Sequence, residues 1–404
     1  MKRMADNDAV IVASARTPIG RARKGSLRDM RPDDLAAQAF AGALSKVPGL
    51  EIADIEDLYL GCAEPHGEHG QNMARRVAVL LGHDGLPGST VNRFCASSLQ
   101  AARMAFHAIK AGEGDAYLVG GVECVSRYGE IAMDEHPIFA EASQRAQKAA
   151  QAGRPWQDPR SLGDMPDVYI QMGFTAEFVA RHTGTSRQDQ DEYAALSQSR
   201  TQEATASGFF RREIVPVVLP DGTVVDGDDS PRAGTTVEAL SQLNPAFVPE
   251  GSVTAGNACP LNDGASAAVM MSAAKAKQLG LAPLARIISS GVTALSPEIM
   301  GLGPVAATEM ALQRAGLSIG DIDIVELNEA FAAQVVPAAR KLGIDFDKLN
   351  PHGGAIALGH PFGATGVRML TTLVNGLQSN DGQFGLATLC VGGGQGMAMV
   401  IERL

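Results

Sequence analysis

Three segments of this chain occur twice, in the same order and at nearly the same spacing. Ala53-Asp54-Ile55-Glu56-Asp57-Leu58-Tyr59-Leu60 parallels Gly320-Asp321-Ile322-Asp323-Ile324-Val325-Glu326-Leu327. Phe94-Cys95-Ala96-Ser97-Ser98 parallels Phe362-Gly363-Ala364-Thr365-Gly366, and Leu118-Val119-Gly120-Gly121 parallels Cys390-Val391-Gly392-Gly393. Ordered recurrence is the mark of a duplicated unit. Such a chain is expected to fold as two similar halves whose corresponding loops meet across a pseudo-two-fold. That arrangement would bring Cys95, Asn328, His360 and Cys390 together.

Each half reads as α/β. Ala9 to Ala13 is a nearly continuous apolar run, as a strand buried on both faces requires. Leu58 to Leu60 and Ala116 to Gly120 are further strands. Asp33 and Asp34 are placed to cap a helix carrying Leu35, Phe40, Leu44 and Val47, which Pro48-Gly49 ends. After Cys95, Leu99, Ala102, Phe106 and Ile109 share one helical face, with Lys110 in the last turn and Gly112 as the stop. From Arg127 the texture changes: residues 127–166 are rich in Glu, Gln, Pro and Arg and show little strand signal. Asp167 to Thr183 reads as a helix. Ser186-Arg187-Gln188-Asp189 reads as a capping box opening another, which runs to about Ser207-Gly208. Glu213 to Leu219 and Thr223 to Val225 read as a hairpin about Pro220-Asp221-Gly222.

The alternation returns after Ser252. It brings a helix from Pro304 to Ala315, a strand from Ile322 to Leu327, and strands Phe384 to Leu389 and Met397 to Ile401. The predicted organisation is a first half over 1–126, completed by about 256–280, and a second half over 281–404. Between them, 127–255 is an inserted domain that covers a site.

Composition narrows the partners. A net charge of −11 argues against nucleic-acid and membrane-surface binding. No apolar run is long enough to span a bilayer. The five cysteines, Cys62, Cys95, Cys124, Cys259 and Cys390, are odd in number, widely spaced and without a CxxC pair. Neither a disulfide framework nor a zinc site is expected from them. Met1 to Asp8 turns acidic before any apolar run, unlike a signal peptide. Glu402-Arg403-Leu404 is not the Ser-Lys-Leu peroxisomal address. A reducing cytoplasm is the expected location.

Four positions carry chemistry. Cys95 falls at or just before the first turn of its helix, where free N–H groups and the positive end of the dipole favour a thiolate. A lowered pKa and a nucleophile are expected there, although most free cysteines serve as small buried hydrophobes. His360, flanked by glycines, is either structural or the base of a Cys–His pair. Cys390 faces Gly392-Gly393-Gly394, and a thiol there could serve as a second acid/base. The glycines are a source of N–H groups for an oxyanion. Asn328 stands at a strand end, where catalytic groups of α/β folds often sit, and a helix cap is its other reading.

Taken together, Asn92-Arg93-Phe94-Cys95-Ala96-Ser97-Ser98, Val253-Thr254-Ala255-Gly256-Asn257, Leu261-Asn262-Asp263-Gly264-Ala265, Asn328-Glu329-Ala330-Phe331, Gly359-His360-Pro361-Phe362-Gly363-Ala364-Thr365-Gly366 and Cys390-Val391-Gly392-Gly393-Gly394 resemble the thiolase family, over essentially the whole chain. The resemblance implies a five-layered αβαβα core of two duplicated halves plus an inserted loop domain. It implies reversible CoA-dependent cleavage of a 3-ketoacyl-CoA, acetoacetyl-CoA included, with no metal and no bound cofactor, coenzyme A being a substrate. By resemblance Cys95 carries the acyl group as a thioester. His360 activates it and, with a water held by Asn328, stabilises the thioester enolate. Cys390 shuttles the second proton, and the N–H groups of Cys95 and Gly392 form the other oxyanion hole. Carried over by position, Met172, Leu261, Met300, Ala330 and Phe331 line a pantetheine tunnel, and Arg232 lies near the nucleotide end of CoA. A homodimer or homotetramer is implied.

Two positions depart from the biosynthetic acetoacetyl-CoA thiolases. Cys259-Pro260 stands where Ser-Gly is common, and Gln171 stands where His is common. Asn-Arg-Phe-Cys leans towards degradative 3-ketoacyl-CoA thiolases, acting in fatty-acid or related acyl-CoA breakdown. The alternatives are a biosynthetic thiolase condensing two acetyl-CoA, and a decarboxylating ketoacyl synthase, against which Cys390 and Asn-Glu-Ala-Phe speak. A nucleotide-binding oxidoreductase would want GxGxxG between strand and helix, and here a strand follows the glycines. A non-catalytic CoA- or lipid-binding relative would not need all four reactive positions.

Overall fold

In the computed structural model, residues 4–129 and 135–404 are described. Residues 1–3, the start of the N-terminal segment, and 130–134, within the insertion, lie outside them.

In chain order the first half runs β1 (Ala9–Arg16), β2 (Gly20–Arg21), α1 (Pro32–Leu44), β3 (Asp57–Gly61), α2 (Met73–Leu80), β4 (Gly88–Val91), α3 (Ser97–Ala111) and β5 (Ala116–Cys124). The insertion holds α4 (Ala140–Gln151), α5 (Met172–Thr183), α6 (Arg187–Ala206), β6 (Val217–Val218), β7 (Val224–Val225) and α7 (Val237–Ser241). Strand β8 (Asn262–Ser272) and α8 (Ala273–Gln278) complete the first half. The second half comprises β9 (Ala285–Ala294), α9 (Gly303–Ala315), β10 (Ile324–Leu327), α10 (Ala332–Leu342), α11 (Ala355–Leu358), α12 (Thr365–Ser379), β11 (Phe384–Val391) and β12 (Gln395–Arg403).

The strands form two half-sheets of matching pattern. In the first, β3 and β5 are parallel, β5 and β8 antiparallel, and β8 and β1 antiparallel. In the second, β10 and β11 are parallel, β11 and β12 antiparallel, and β12 and β9 antiparallel. A short pairing of β1 with β9, Val10 opposite Arg286 and Ile11 opposite Ala285, joins them edge to edge. Strand β4 adds an outer, parallel strand to the first half-sheet only.

Side-chain alternation along the strands builds five layers. Leu118 of β5 points outward to Leu35 and Phe40 of α1 and Met73 and Val77 of α2. Its neighbour Val119 points inward to Leu99 and Ala102 of α3 and Leu370 and Leu373 of α12. On the far side, Leu386 and Val400 pack against Ala307 and Ala311 of α9 and Val335 and Val336 of α10. With helices on both faces, β1, β5 and β8 are buried from end to end, as the apolar stretches 9–13, 116–119 and 267–271 require, and β8 buries Asn262, Asp263 and Ser266 as well.

The duplication is visible in the middle layer. A 3-10 turn, Phe94–Ala96, leads into the 15-residue α3, and a second, Phe362–Ala364, leads into the 15-residue α12. At that spacing Ala116 of β5 corresponds to Phe384 of β11. Val122 then corresponds to Cys390, so the glycine match made from the sequence is out of step by four residues. The two units press together closely. A Cβ on Gly366 would lie 2.4 Å from the Leu99 nitrogen, and one on Gly121 would lie 2.0 Å from the Gly363 oxygen.

Several local readings change. Helix α1 starts on Pro32 with Arg31 as an N-cap that makes no side-chain bond. Asp33 binds Arg31 and Arg76 instead of capping. Helix α5 begins at Met172, because the Asp167 carboxyl accepts from Ser143 and from the Tyr169 N–H and holds the preceding chain in a turn. The hairpin is confined to β6 and β7, since Glu213 is drawn to the buried Arg16 at 2.8 Å. Arg16 also binds Asp228 and so ties the insertion to β1. The capping box at Ser186 and Asp189 is present, and α6 ends at Ala206.

Candidate active site

Cys95 sits in the 3-10 turn before α3, on a segment that side chains hold from both ends. Asn92 Oδ1 accepts from the Phe94 N–H at 2.8 Å, and Asn92 Nδ2 donates to the Ala63 carbonyl at 3.0 Å. The Ser97 hydroxyl accepts from the Arg93 N–H and donates to the Phe94 carbonyl at 2.6 Å. These contacts hold Phe94 at φ +43°, a left-handed conformation costly for an aromatic residue. The strained residue directly precedes the thiol.

His360 lies just before the matching turn of the second half, and the two turns pack on each other. Its Nε2 is 3.2 Å from Asn328 Nδ2, and its Nδ1 is 2.6 Å from the Thr365 hydroxyl. Asn328 Nδ2 is a donor, so Nε2 holds the lone pair and Nδ1 the proton. Thr365 can accept that proton's bond because its own hydrogen goes to the Pro361 carbonyl at 2.9 Å. Nε2 is therefore the basic atom. The imidazole is fully buried, and burial, aided by Arg368, pushes its pKa down to about 3.

Cys95 does not rest as a thiolate. Burial pushes its thiol up to about 12, outweighing the hydrogen bonds from the Gly392 N–H and its own N–H that favour the anion. This corrects the lowered pKa expected from the helix start: desolvation exceeds the help of the N–H groups, and the neighbouring imidazole is uncharged. Cys390 lies near the end of β11, paired with Gly396, and is fully buried. It is a neutral thiol, raised well above its usual range by burial and by the proximity of Cys95 and Cys259. Gly392 opens the turn between β11 and β12. Gly393 and Gly394 have φ of +72° and +80°, which closes the hairpin in three residues. The Phe94 ring lies over Gly392, where an added Cβ would be 3.3 Å from it.

Asn328 follows β10, with its N–H on the Thr388 carbonyl and its own carbonyl accepting from Gln334. Its side-chain oxygen is buried without a partner among the described residues. Beside it, Glu329 accepts from Tyr193, Ser197, Asn350 and the Ile356 N–H at 2.6 to 3.0 Å. Those four donors come from the insertion and from the second half. Glu123, at the end of β5, accepts from the Ala63 and Gly363 N–H groups and from Tyr128. It thereby joins the Cys95 half to the His360 loop.

The positions assigned to pantetheine divide. Met300, Ala330 and Phe331 are buried in one apolar cluster with Cys390, and the half-buried Met172 and Cys259 pack against it. Leu261, 53% exposed, and the exposed Arg232 lie outside that cluster. Thr365, Glu329, Arg93 and Gln395 were not singled out from the sequence. The first three stand inside quoted motifs, but a motif does not show which of its side chains bond to which group. No group of His, Cys, Asp and Glu among the described residues could hold a metal ion.

Residues 9–274 match the family description "Thiolase, N-terminal domain", and 281–403 match "Thiolase, C-terminal domain". A 3-ketoacyl-CoA thiolase of Aeromonas salmonicida is 45% identical over 410 residues, covering 98% of this chain and 100% of that protein. One of Photobacterium profundum is 46% identical over 413 residues with the same coverage, and one of Bacillus subtilis is 42% identical over 408 residues, covering 98% and 99%. The crystal structure of the Bacillus anthracis acetyl-CoA acetyltransferase superposes with a TM-score of 0.86 at 35% identity, covering 98% of this chain and 99% of that one. With both domains matched in order and the fold shared throughout, the chain belongs to the thiolase family.

Proposed function

We propose that this thiolase cleaves 3-ketoacyl-CoA with coenzyme A through an acyl thioester on Cys95. The observation that carries the reading is geometric: the Cys95 turn packs on the His360 turn, with the Gly392 N–H against the Cys95 sulfur and the Cys390 thiol close by. His360 Nε2 takes the Cys95 proton as sulfur attacks the 3-carbonyl. The Cys95 and Gly392 N–H groups receive the oxyanion. The C2–C3 bond then breaks, and the enolate of acetyl-CoA takes a proton from Cys390, which a thiol held neutral can supply. Coenzyme A, activated by return of that proton to Cys390, resolves the thioester. The Asn328 side-chain oxygen is free to hold a water beside His360 for the enolate oxygen. The cluster around Met172, Met300, Ala330 and Phe331 is apolar, as a pantetheine wall requires, and Arg232 and Leu261 would meet CoA at the surface.

The reading extends to the domains, setting and assembly. Residues 127–255 act as a loop domain against two thiolase halves, and five free cysteines suit a reducing cytoplasm. Among the described residues no helix is long and apolar enough to cross a membrane. A homo-oligomer is supported by the outer edge of β4, which pairs with no further strand among the described residues, and by Val79 and Leu80 at the end of α2, 47% and 52% exposed.

The test is intact mass after exposure to acetyl-CoA. One acetyl group on Cys95, released by free CoA and missing in Cys95→Ser, is expected. If reduced, folded protein is modified neither by acetyl-CoA nor by a longer 3-ketoacyl-CoA, the reading fails. Rates with acetoacetyl-CoA and longer 3-ketoacyl-CoAs then give the chain length.

A further inference from the structure

The two N–H groups of the oxyanion hole belong to different halves. Cys95 is carried by the α3 turn and Gly392 by the β11–β12 turn, so neither half alone sets the distance between them. One chain of hydrogen bonds spans the gap. Arg93 Nε donates to Gln100 Oε1 on α3 at 3.0 Å. Its other arm donates to Gln395 Oε1 at 2.7 Å. Gln395 Nε2 in turn donates to the Gly392 carbonyl at 3.3 Å. Arg93 is two residues before the nucleophile, and Gln395 is three after Gly392.

This placement is costly. Arg93 is half-buried, burial works against its charge, and among the described residues no carboxylate pairs with it. Both its partners are neutral amides, which do less for a buried cation than a carboxylate. What the arrangement achieves is rigidity where the backbone is least constrained. Gly392, Gly393 and Gly394 have no side chains to fix them. The ladder pair Val391–Gln395 holds the start of the turn. The Gln395 amide holds the Gly392 carbonyl and so its ψ angle. Arg93 ties that amide to the strained segment bearing Cys95.

We infer that Arg93 and Gln395 are positioning residues that set the Gly392 N–H against the Cys95 N–H for the oxyanion. The inference rests on the acyl-transfer reading above. Its test measures thiolysis together with the carbonyl band of the acetyl-enzyme, formed from acetyl-CoA labelled with ¹³C at the carbonyl and read by difference infrared spectroscopy. Two well-placed donors lower the frequency of a thioester carbonyl, and a misplaced donor raises it.

Gln395→Met and Arg93→Met are each expected to lower kcat about tenfold to a hundredfold, with KM within about twofold. The labelled band moves to higher frequency in both. The double variant is no worse than the worse single one, as members of one chain require. Gln395→Glu keeps the acceptor for Arg93 and removes only the donor to Gly392, so it serves if Arg93→Met does not fold. It is expected to match Gln395→Met. An unmoved band in folded variants, a KM rise at constant kcat, or additive losses overturns the inference alone. A wild-type enzyme that forms no acetyl thioester overturns the acyl-transfer reading and this inference with it.

Discussion

At Cys95 two effects oppose each other. The helix start supplies N–H groups that favour an anion, and burial removes the water that would otherwise solvate it. Burial prevails, and the same burial keeps His360 unprotonated. Both shifts favour an uncharged resting pair. A prediction about pH follows with a definite sign. His360 has its pKa lowered to about 3, so its basic form persists as pH falls below the ordinary value of about 6.5. Alkylation of Cys95 by iodoacetamide goes through the thiolate, so its rate is expected to rise steadily with pH from about 4 upward, with no break near pH 6.5. A break near 6.5 would mean that His360 titrates as an ordinary histidine. The tautomer is equally testable. Thr365→Val removes the acceptor for Nδ1–H, which frees the ring to move its proton to Nε2. A fall in kcat of about tenfold to a hundredfold is expected, with KM little changed and recovery in Thr365→Ser. Equal activity in Thr365→Val and Thr365→Ser would show that the hydroxyl does not set the tautomer.

Elements meet at buried carboxyl groups. Glu329 gathers donors from α6, from Asn350 and from the start of α11, and so sets the end of β10 that carries Asn328. Glu329→Ala would strand four donors, two of them hydroxyls that cannot reach water. A loss of roughly 3 kcal/mol or more of unfolding free energy is expected, with less in Glu329→Gln, which retains acceptor capacity. Denaturant titration of the two variants measures this, and equal stabilities would show that the network adds nothing to the fold. The sequence shows such elements well where a local rule produces them. The Ser186–Asp189 box opens α6, and Gly112 and Gly316 in left-handed conformation close α3 and α9. It shows them poorly where a distant partner intervenes, as Arg16 does for Glu213 and Arg76 does for Asp33.

At the scale of the whole molecule, the half-sheets match strand for strand except that the two-residue β2 and the outer strand β4 belong to one of them alone. The outer edge of β4 pairs with no further strand among the described residues, and an open edge is a liability that natural proteins cover. Light scattering on the purified protein is expected to show a homodimer or homotetramer. Val79→Lys or Leu80→Lys is expected to shift it towards monomer. A wild-type monomer at micromolar concentration would refute the assembly proposed from that edge.

The sequence by itself determined the duplication, the buried strands and the helix that follows Cys95. All of these follow from periodicity, capping residues and motif order, which are local properties of the chain. Only the tertiary structure decided how the halves align, which moved the glycine match by four residues. It also decided that Cys95 rests as a thiol, because desolvation depends on everything packed around a group. The same holds for His360, whose basic nitrogen is chosen by Thr365 and Asn328, and for Gly392, whose place is set by Arg93 and Gln395. Charge state, tautomer and donor geometry depend on which groups the fold packs together, some near in the chain, as Thr365 is to His360 and Gln395 to Gly392, and some remote, as Asn328 is to His360 and Arg93 to Gln395.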